Sequence, residues 1–255
     1  MFKGLLRYGC LTQRSCIAIS GLASHPFGSW RPKDDNSPWM WIRDALPKAF
    51  PNTRVALYGY DTTLVKSNSF QTIADLAFFL GESLKASGFA SKKPVLFLAH
   101  SLGGLVLKEA LDRERQMLRR VAGAILFGVP SRGMETQALM TVVRGQANEA
   151  IVRDLTAGSD YLQSLDDRFS DVASQGRMKL FWAYETRTSP TVAVSRLLST
   201  EGELTNIGTR RWIVCQDRAG GNPRDAAVGH AGTVWNSLSI HSVYLSCQRK
   251  PLGHG

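Results

Sequence analysis

Ser101 lies in the stretch Phe97-Leu98-Ala99-His100-Ser101-Leu102-Gly103-Gly104, and its neighbours are of the types a serine needs to act as a nucleophile. A serine hydroxyl attacks a carbonyl carbon when a base takes its proton and the backbone presents it on an exposed turn. A tight strand-to-helix turn does this, and it demands small residues two before and two after the serine, where strand and helix crowd together. Those residues are Ala99 and Gly103, with Gly104 behind, so the steric condition is met although the first small residue is Ala rather than Gly. A helix opening at Leu102 aims its first N–H groups at the serine, which makes the Leu102 amide a candidate donor to a developing oxyanion. His100 is expected to pack beside this elbow. The alternative is a purely structural strand–helix turn.

The remaining parts of such a site can be sought along the chain. A second oxyanion donor comes from a loop after an early strand, and Ser20–Trp30 is such a loop, with the backbone of Leu22 as the candidate and an ordinary glycine turn as the alternative. His25 in this loop precedes the serine, whereas a serine–acid–histidine order puts the base last; it is expected to shape the loop. The acid should end a later strand. Glu185 does so after the run Leu180–Tyr184, with Asp160 and Asp166 as fallbacks on helical segments. For the base, only His230, His241 and His254 follow Glu185. His254 is next to the terminus, His230 is in a glycine turn, and His241 is in an apolar-rich segment that could dock on a sheet. His241 is the candidate, His230 the second choice, and the absence of a working base a third reading. Chemistry of this kind needs no cofactor and no metal.

Short apolar runs alternate with helical patterns over residues 16–186. Strands are expected at 16–22, 53–60, 94–99, 121–130 and 178–186, and helices at 40–50, 69–88, 102–118, 149–155 and 159–175. Such alternation implies a mostly parallel sheet with helices on both faces, an α/β class. Beyond Thr186 the periodicity weakens, with 210–216 readable as a strand and 233–247 as either type.

With 255 residues, 44% hydrophobic and 9% aromatic, the chain can bury a sizeable core, which excludes wholesale disorder. The 31 Lys and Arg against 21 Asp and Glu give a net charge of +10. The one dense basic cluster, Arg113–Arg120, reads as a solvated helix end, and no zinc-finger or RNP-like spacing accompanies it. No nucleic-acid partner is expected; peripheral contact with an anionic membrane remains open. Cys10, Cys16, Cys215 and Cys247 are far apart with no C-x-x-C pair, which fits a reducing, intracellular compartment. No apolar stretch reaches the roughly 18 residues that span a bilayer. Residues 1–33 carry Lys3, Arg7, Arg14, Arg31 and Lys33 and no acid, which suits a basic first strand or hairpin or, alternatively, a mitochondrial presequence.

Six segments, 20–30, 39–62, 69–80, 93–111, 123–135 and 180–192, together resemble the fungal lipase-like α/β-hydrolases related to the serine active site-containing (SERAC-type) proteins and the GPI inositol-deacylase group. The resemblance implies an α/β-hydrolase fold and hydrolysis of ester or acyl bonds in lipid-type substrates, with Ser101 at the elbow and Glu185 as the acid. It also implies a location at endoplasmic-reticulum or mitochondrial membranes, whereas composition alone suits an intracellular, cytoplasmic or peripheral protein. Two departures stand out. Ser20-Gly21 occupies the place of the usual His-Gly, and His241 keeps its following Ser242 without the flanking pattern of the family's last histidine. Residues 1–192 are thus assigned to the hydrolase core. Residues 193–255 form a divergent segment that either completes the domain or is partly disordered, and a truncated product or altered reading frame would look the same. A catalytically impaired domain used for recognition or signalling is the alternative function.

Overall fold

The structure, a computed structural model, describes residues 4–8, 14–31, 38–89, 93–175, 178–185 and 212–216. His230, His241, His254, Cys10 and Cys247 lie outside these residues, as does most of the segment 193–255.

The strands are β1 (Gly4–Tyr8), β2 (Arg14–Ile19), β3 (Thr53–Gly59), β4 (Val95–His100), β5 (Val121–Phe127), β6 (Lys179–Glu185) and β7 (Trp212–Gln216). They form one sheet in the order β1-β3-β2-β4-β5-β6-β7. The strands from β3 to β6 in that order run parallel, and β1 and β7 close the two edges antiparallel. The basic N-terminal run therefore supplies an edge strand, which pairs with β3 and not with β2 as a hairpin would. β7 joins the run expected as a strand at 210–216 to β6.

The central strands read as continuous apolar runs because both of their faces are covered. In β2, Ile17 and Ile19 belong to one core while Cys16 and Ala18 belong to the other. The first core lies under α3 (Ile73–Ala86), α4 (Leu102–Arg113) and α7 (Asp160–Gln175), and it extends to the short α5 (Gln137–Val143) and α6 (Glu149–Asp154). The second lies under a 3-10 turn at Gly28–Trp30 and the one-turn helices α1 (Trp41–Asp44) and α2 (Leu46–Ala49). Trp30, fully buried, sets its ring edge-on to Trp41 and Phe127 at centroid distances of 5.8 and 6.2 Å.

The start of α3 is fixed by a capping box in which Thr72 Oγ1 accepts from the Asp75 N–H and the Asp75 carboxylate accepts from the Thr72 N–H. Asp75 is thereby held below the usual carboxylate range, chiefly by that backbone N–H. α4 packs between α3 and α7 and has every residue from Leu102 to Leu111 buried. That includes Lys108, whose ammonium donates to Asp166 Oδ1 at 2.6 Å and Ser131 Oγ at 2.7 Å and lies 4.8 Å from the centre of the Trp182 ring. A buried charge is tolerable when it is paired and hydrogen-bonded in this way.

Three elements depart from expectation. Residues 40–50 form two single turns, and Pro47 is in the first turn of α2, where its missing N–H is not needed. The helix after Ser101 ends at Arg113, not Leu118. Glu114 leaves helical space at φ −106°, ψ 54°, its carboxylate held by Lys85 of α3, and the chain continues as a 3-10 turn that tucks Met117 inward. This is the Arg113–Arg120 cluster, whose Arg119 and Arg120 are exposed at the end of the turn. Finally, α5 was not expected, because only Leu139 and Val143 among its residues are buried, too few to mark a period.

Candidate active site

Ser101 is the single residue between β4 and α4, with φ 52° and ψ −126°. This is a backbone region that side-chain-bearing residues avoid, and such strain persists where the surroundings over-determine it. Here they do. The Ser101 N–H donates to the Phe127 carbonyl at the end of β5 (2.9 Å), and the Ser101 carbonyl accepts from the Gly104 N–H in the first turn of α4 (2.9 Å). A Cβ on Gly103 would come within 2.3 Å of the Ser20 carbonyl oxygen, and one on Gly104 within 2.1 Å of Val129 Cγ2. Gly103 thus lets α4 press against the end of β2, and Gly104 lets it press against the loop after β5. Ala99 is fully buried, so the two small flanking positions serve the crowding the sequence suggested. His100 ends β4 and is buried beside Gly21, where a Cβ would meet its Nδ1 at 3.1 Å.

The loop after β2 reaches the same place from the neighbouring strand. A Cβ on Gly21 would lie 2.8 Å from Ser101 Cβ, so the Gly21–Leu22 peptide runs alongside the serine. The N–H groups of Leu22 and of Leu102 find no acceptor among the described residues. Two amides without an acceptor among the described residues, beside one strained serine, are groups that could donate to an oxyanion without rearrangement. The Ser101 hydroxyl likewise has no hydrogen-bond partner among the described residues.

His25 is exposed, accepts the Phe27 N–H on Nδ1 at 3.2 Å and stacks on the Phe27 ring, a role in shaping its loop. Glu185 is the last residue of β6, two beyond Ala183, which is in register with Phe127 and through it with His100. It therefore ends its strand at the same C-terminal end of the parallel strands as Ser101, two strands away, roughly 10 Å across at the usual spacing of about 4.8 Å. Of the fallback acids, Asp166 is engaged by Lys108 and Asp160 is exposed at the start of α7. His241, His230 and His254 are outside the described residues. Among the described residues, no three His, Cys, Asp or Glu side chains gather as metal ligands would. Several residues that shape this site carried no motif of their own: Tyr60, Thr62 and Val129. The signals were membership of the resembling segments 39–62 and 123–135 and position, within three residues after the ends of β3 and β5.

The parallel sheet, the helix layers on both faces and the strained turn at the end of β4 are those of an α/β-hydrolase. Phospholipase PlaB from Legionella pneumophila shares the fold with a TM-score of 0.52 at 13% identity, over 69% of this chain and 39% of that one. Lipase BlEst2 of Bacillus licheniformis aligns with a TM-score of 0.47 at 16% identity, over 66% of this chain and 65% of that one. In sequence, the chain is similar to SERAC1 proteins, in line with the resemblance. The protein from Danio rerio is 27% identical over 197 residues and that from Homo sapiens 25% identical over 195, each match covering 67% of this chain. The chain spans about 30% of the length of these relatives. No protein-family model matches it. The relatives named are vertebrate proteins and do not bear on a fungal source.

Proposed function

We propose that the protein is a serine hydrolase that cleaves carboxylic-ester or lipid acyl bonds. The observation that carries this reading is Ser101 held at φ 52°, ψ −126° beside the N–H groups of Leu22 and Leu102, which have no acceptor among the described residues. Ser101 Oγ attacks the acyl carbonyl carbon while His241 takes the hydroxyl proton. The carbonyl oxygen becomes an oxyanion between the two amides, and Glu185 orients the imidazole and stabilises its cation. The intermediate collapses with the proton passing from His241 to the leaving alcohol, which leaves an acyl-serine. Water, deprotonated by the same imidazole, then releases the acid and regenerates Ser101. The fold shared with phospholipase PlaB supports the class of reaction. Among the described residues no helix is long and apolar enough to cross a membrane. The net charge of +10 favours contact with an anionic lipid surface, where a lipid substrate would be met.

A fluorophosphonate probe tests the reading on wild type, Ser101→Ala and His241→Ala. Wild type should label, Ser101→Ala should not, and His241→Ala should label far more slowly. A wild type that never labels overturns the proposal and leaves a recognition module. Full labelling of His241→Ala transfers the base to another residue, His230 first.

A further inference from the structure

The residues that follow β3 hydrogen-bond to the loop that carries the Leu22 amide. The Tyr60 hydroxyl donates to the Ser20 carbonyl at 2.8 Å in a buried bond. The Thr62 carbonyl accepts the Ala23 N–H at 3.0 Å. Thr62 Oγ1 accepts the Ser24 N–H at 3.2 Å and donates to the Ser24 carbonyl at 3.1 Å, so its hydroxyl satisfies both backbone groups of one residue. Ser24 Oγ in turn donates to the Gly21 carbonyl at 2.7 Å. Ser24 and Thr62 are both buried, and Ala23 between the bonded groups is held at φ 47°, a left-handed conformation that an alanine does not adopt without restraint.

The last of these bonds fixes a direction. The Gly21 carbonyl and the Leu22 N–H belong to one planar trans peptide, so they point in opposite directions. Tying the carbonyl to Ser24 Oγ turns the N–H away from Ser24, on a peptide whose Gly21 end lies against Ser101. Glycine at 21 gives this peptide wide freedom to rotate, and an unrestrained peptide could flip and exchange its donor for a carbonyl.

We infer that Ser24 and Thr62 are positioning residues for the second oxyanion donor: Thr62 locks Ser24, and Ser24 locks the Gly21–Leu22 peptide with its N–H toward the site. The inference rests on the serine-hydrolase reading above. Neither residue touches substrate; each acts through the Leu22 amide. An amide that is aimed only part of the time stabilises the transition state less and leaves ground-state binding alone, so the loss falls on kcat and not on KM.

The test uses the full chain, a fluorophosphonate probe and a p-nitrophenyl ester. Removal of one oxyanion donor costs about 100–1000-fold in kcat elsewhere. Ser24→Ala and Thr62→Val should accordingly lower kcat by roughly tenfold or more with KM within about twofold, and slow labelling in parallel. Thr62→Ser, which keeps the hydroxyl, should restore both rates even if its melting temperature stays below wild type. If wild type labels and turns over while Ser24→Ala and Thr62→Val match it, the inference is overturned and the hydrolase reading stands. It is equally overturned if the loss appears in KM, or if it follows melting temperature and Thr62→Ser does not recover it. If wild type itself neither labels nor turns over, the hydrolase reading fails first and the inference with it.

Discussion

The strain at Ser101 can be weighed by replacing the residue twice. At φ 52° and ψ −126° a residue with a Cβ stands in a region that costs about 1–3 kcal/mol. Ser101→Ala removes the hydroxyl and keeps the Cβ, and so keeps the strain. Ser101→Gly removes both. Glycine also loses more backbone freedom on folding, about 0.5–1 kcal/mol relative to alanine. The difference leaves Ser101→Gly more stable than Ser101→Ala by about 1 kcal/mol at mid-range. For a domain of this size that corresponds to a melting temperature roughly 2–4 °C higher. The missing Cβ, which lies close to Gly21, opens a space of about one methyl group and trims the gain. Urea unfolding and thermal melts of the two variants, both without the hydroxyl, provide the comparison. If Ser101→Gly melts at or below Ser101→Ala, the elbow is not strained and the claim that the fold forces this serine into the open has no energetic support.

Two further substitutions read other parts of the structure by the same unfolding assays. Lys108→Ala strips the partner from Ser131 and Asp166 and empties a fully buried site; with Asp166 38% exposed and able to rehydrate, the loss should be about 3 kcal/mol, at the lower end for a broken buried pair. Lys108→Met, which refills the volume, should lose less, and a Lys108→Ala protein as stable as wild type would show that this contact does not brace α4 against α7. Ser20→Ala removes a hydroxyl that is buried without a partner among the described residues, so stability should stay level or rise by up to about 1 kcal/mol. A clear loss would mean that the hydroxyl, and not only the Ser20 carbonyl held by Tyr60, is bonded.

Local sequence carried the strands and the elbow, because both are written in short patterns. The run Val95–Ala99 is apolar at every position, as a strand covered on both faces must be, and the two glycines after Ser101 have no other use as economical as close packing. The break at Glu114 was not legible: the apolar spacing continues through Met117 and Leu118, and what stops α4 is a carboxylate pulled toward Lys85 on another helix, a tertiary contact. The split of 40–50 was hidden for a related reason, since single turns persist there only because Ile42 and Leu46 are buried on the sheet. His230, His241 and His254, the candidate proton acceptors, lie outside the described residues, and labelling of their variants chooses among them.

Thr62, in the positioning role inferred for it, is a kind of residue that a sequence hides. The elbow glycines can be recognised because sterics demand them at fixed distances from Ser101 along the chain. Thr62 is 38 residues from Ser24 and meets it only because β3 and β2 are parallel neighbours whose C-terminal ends release their loops at the same edge. Its chemistry is that of any hydroxyl, and Ser or Asn could fill many such positions. The parallel order of the sheet therefore does two things at once. It delivers Ser101, Leu22 and the end of β6 to one edge from distant parts of the chain, and it places beside them the plain polar residues that restrain mobile peptides there. If the site works as proposed, its accuracy depends on the second set as much as on the first. Substitutions at Ser24 and Thr62 should then separate from core substitutions by lowering turnover out of proportion to stability.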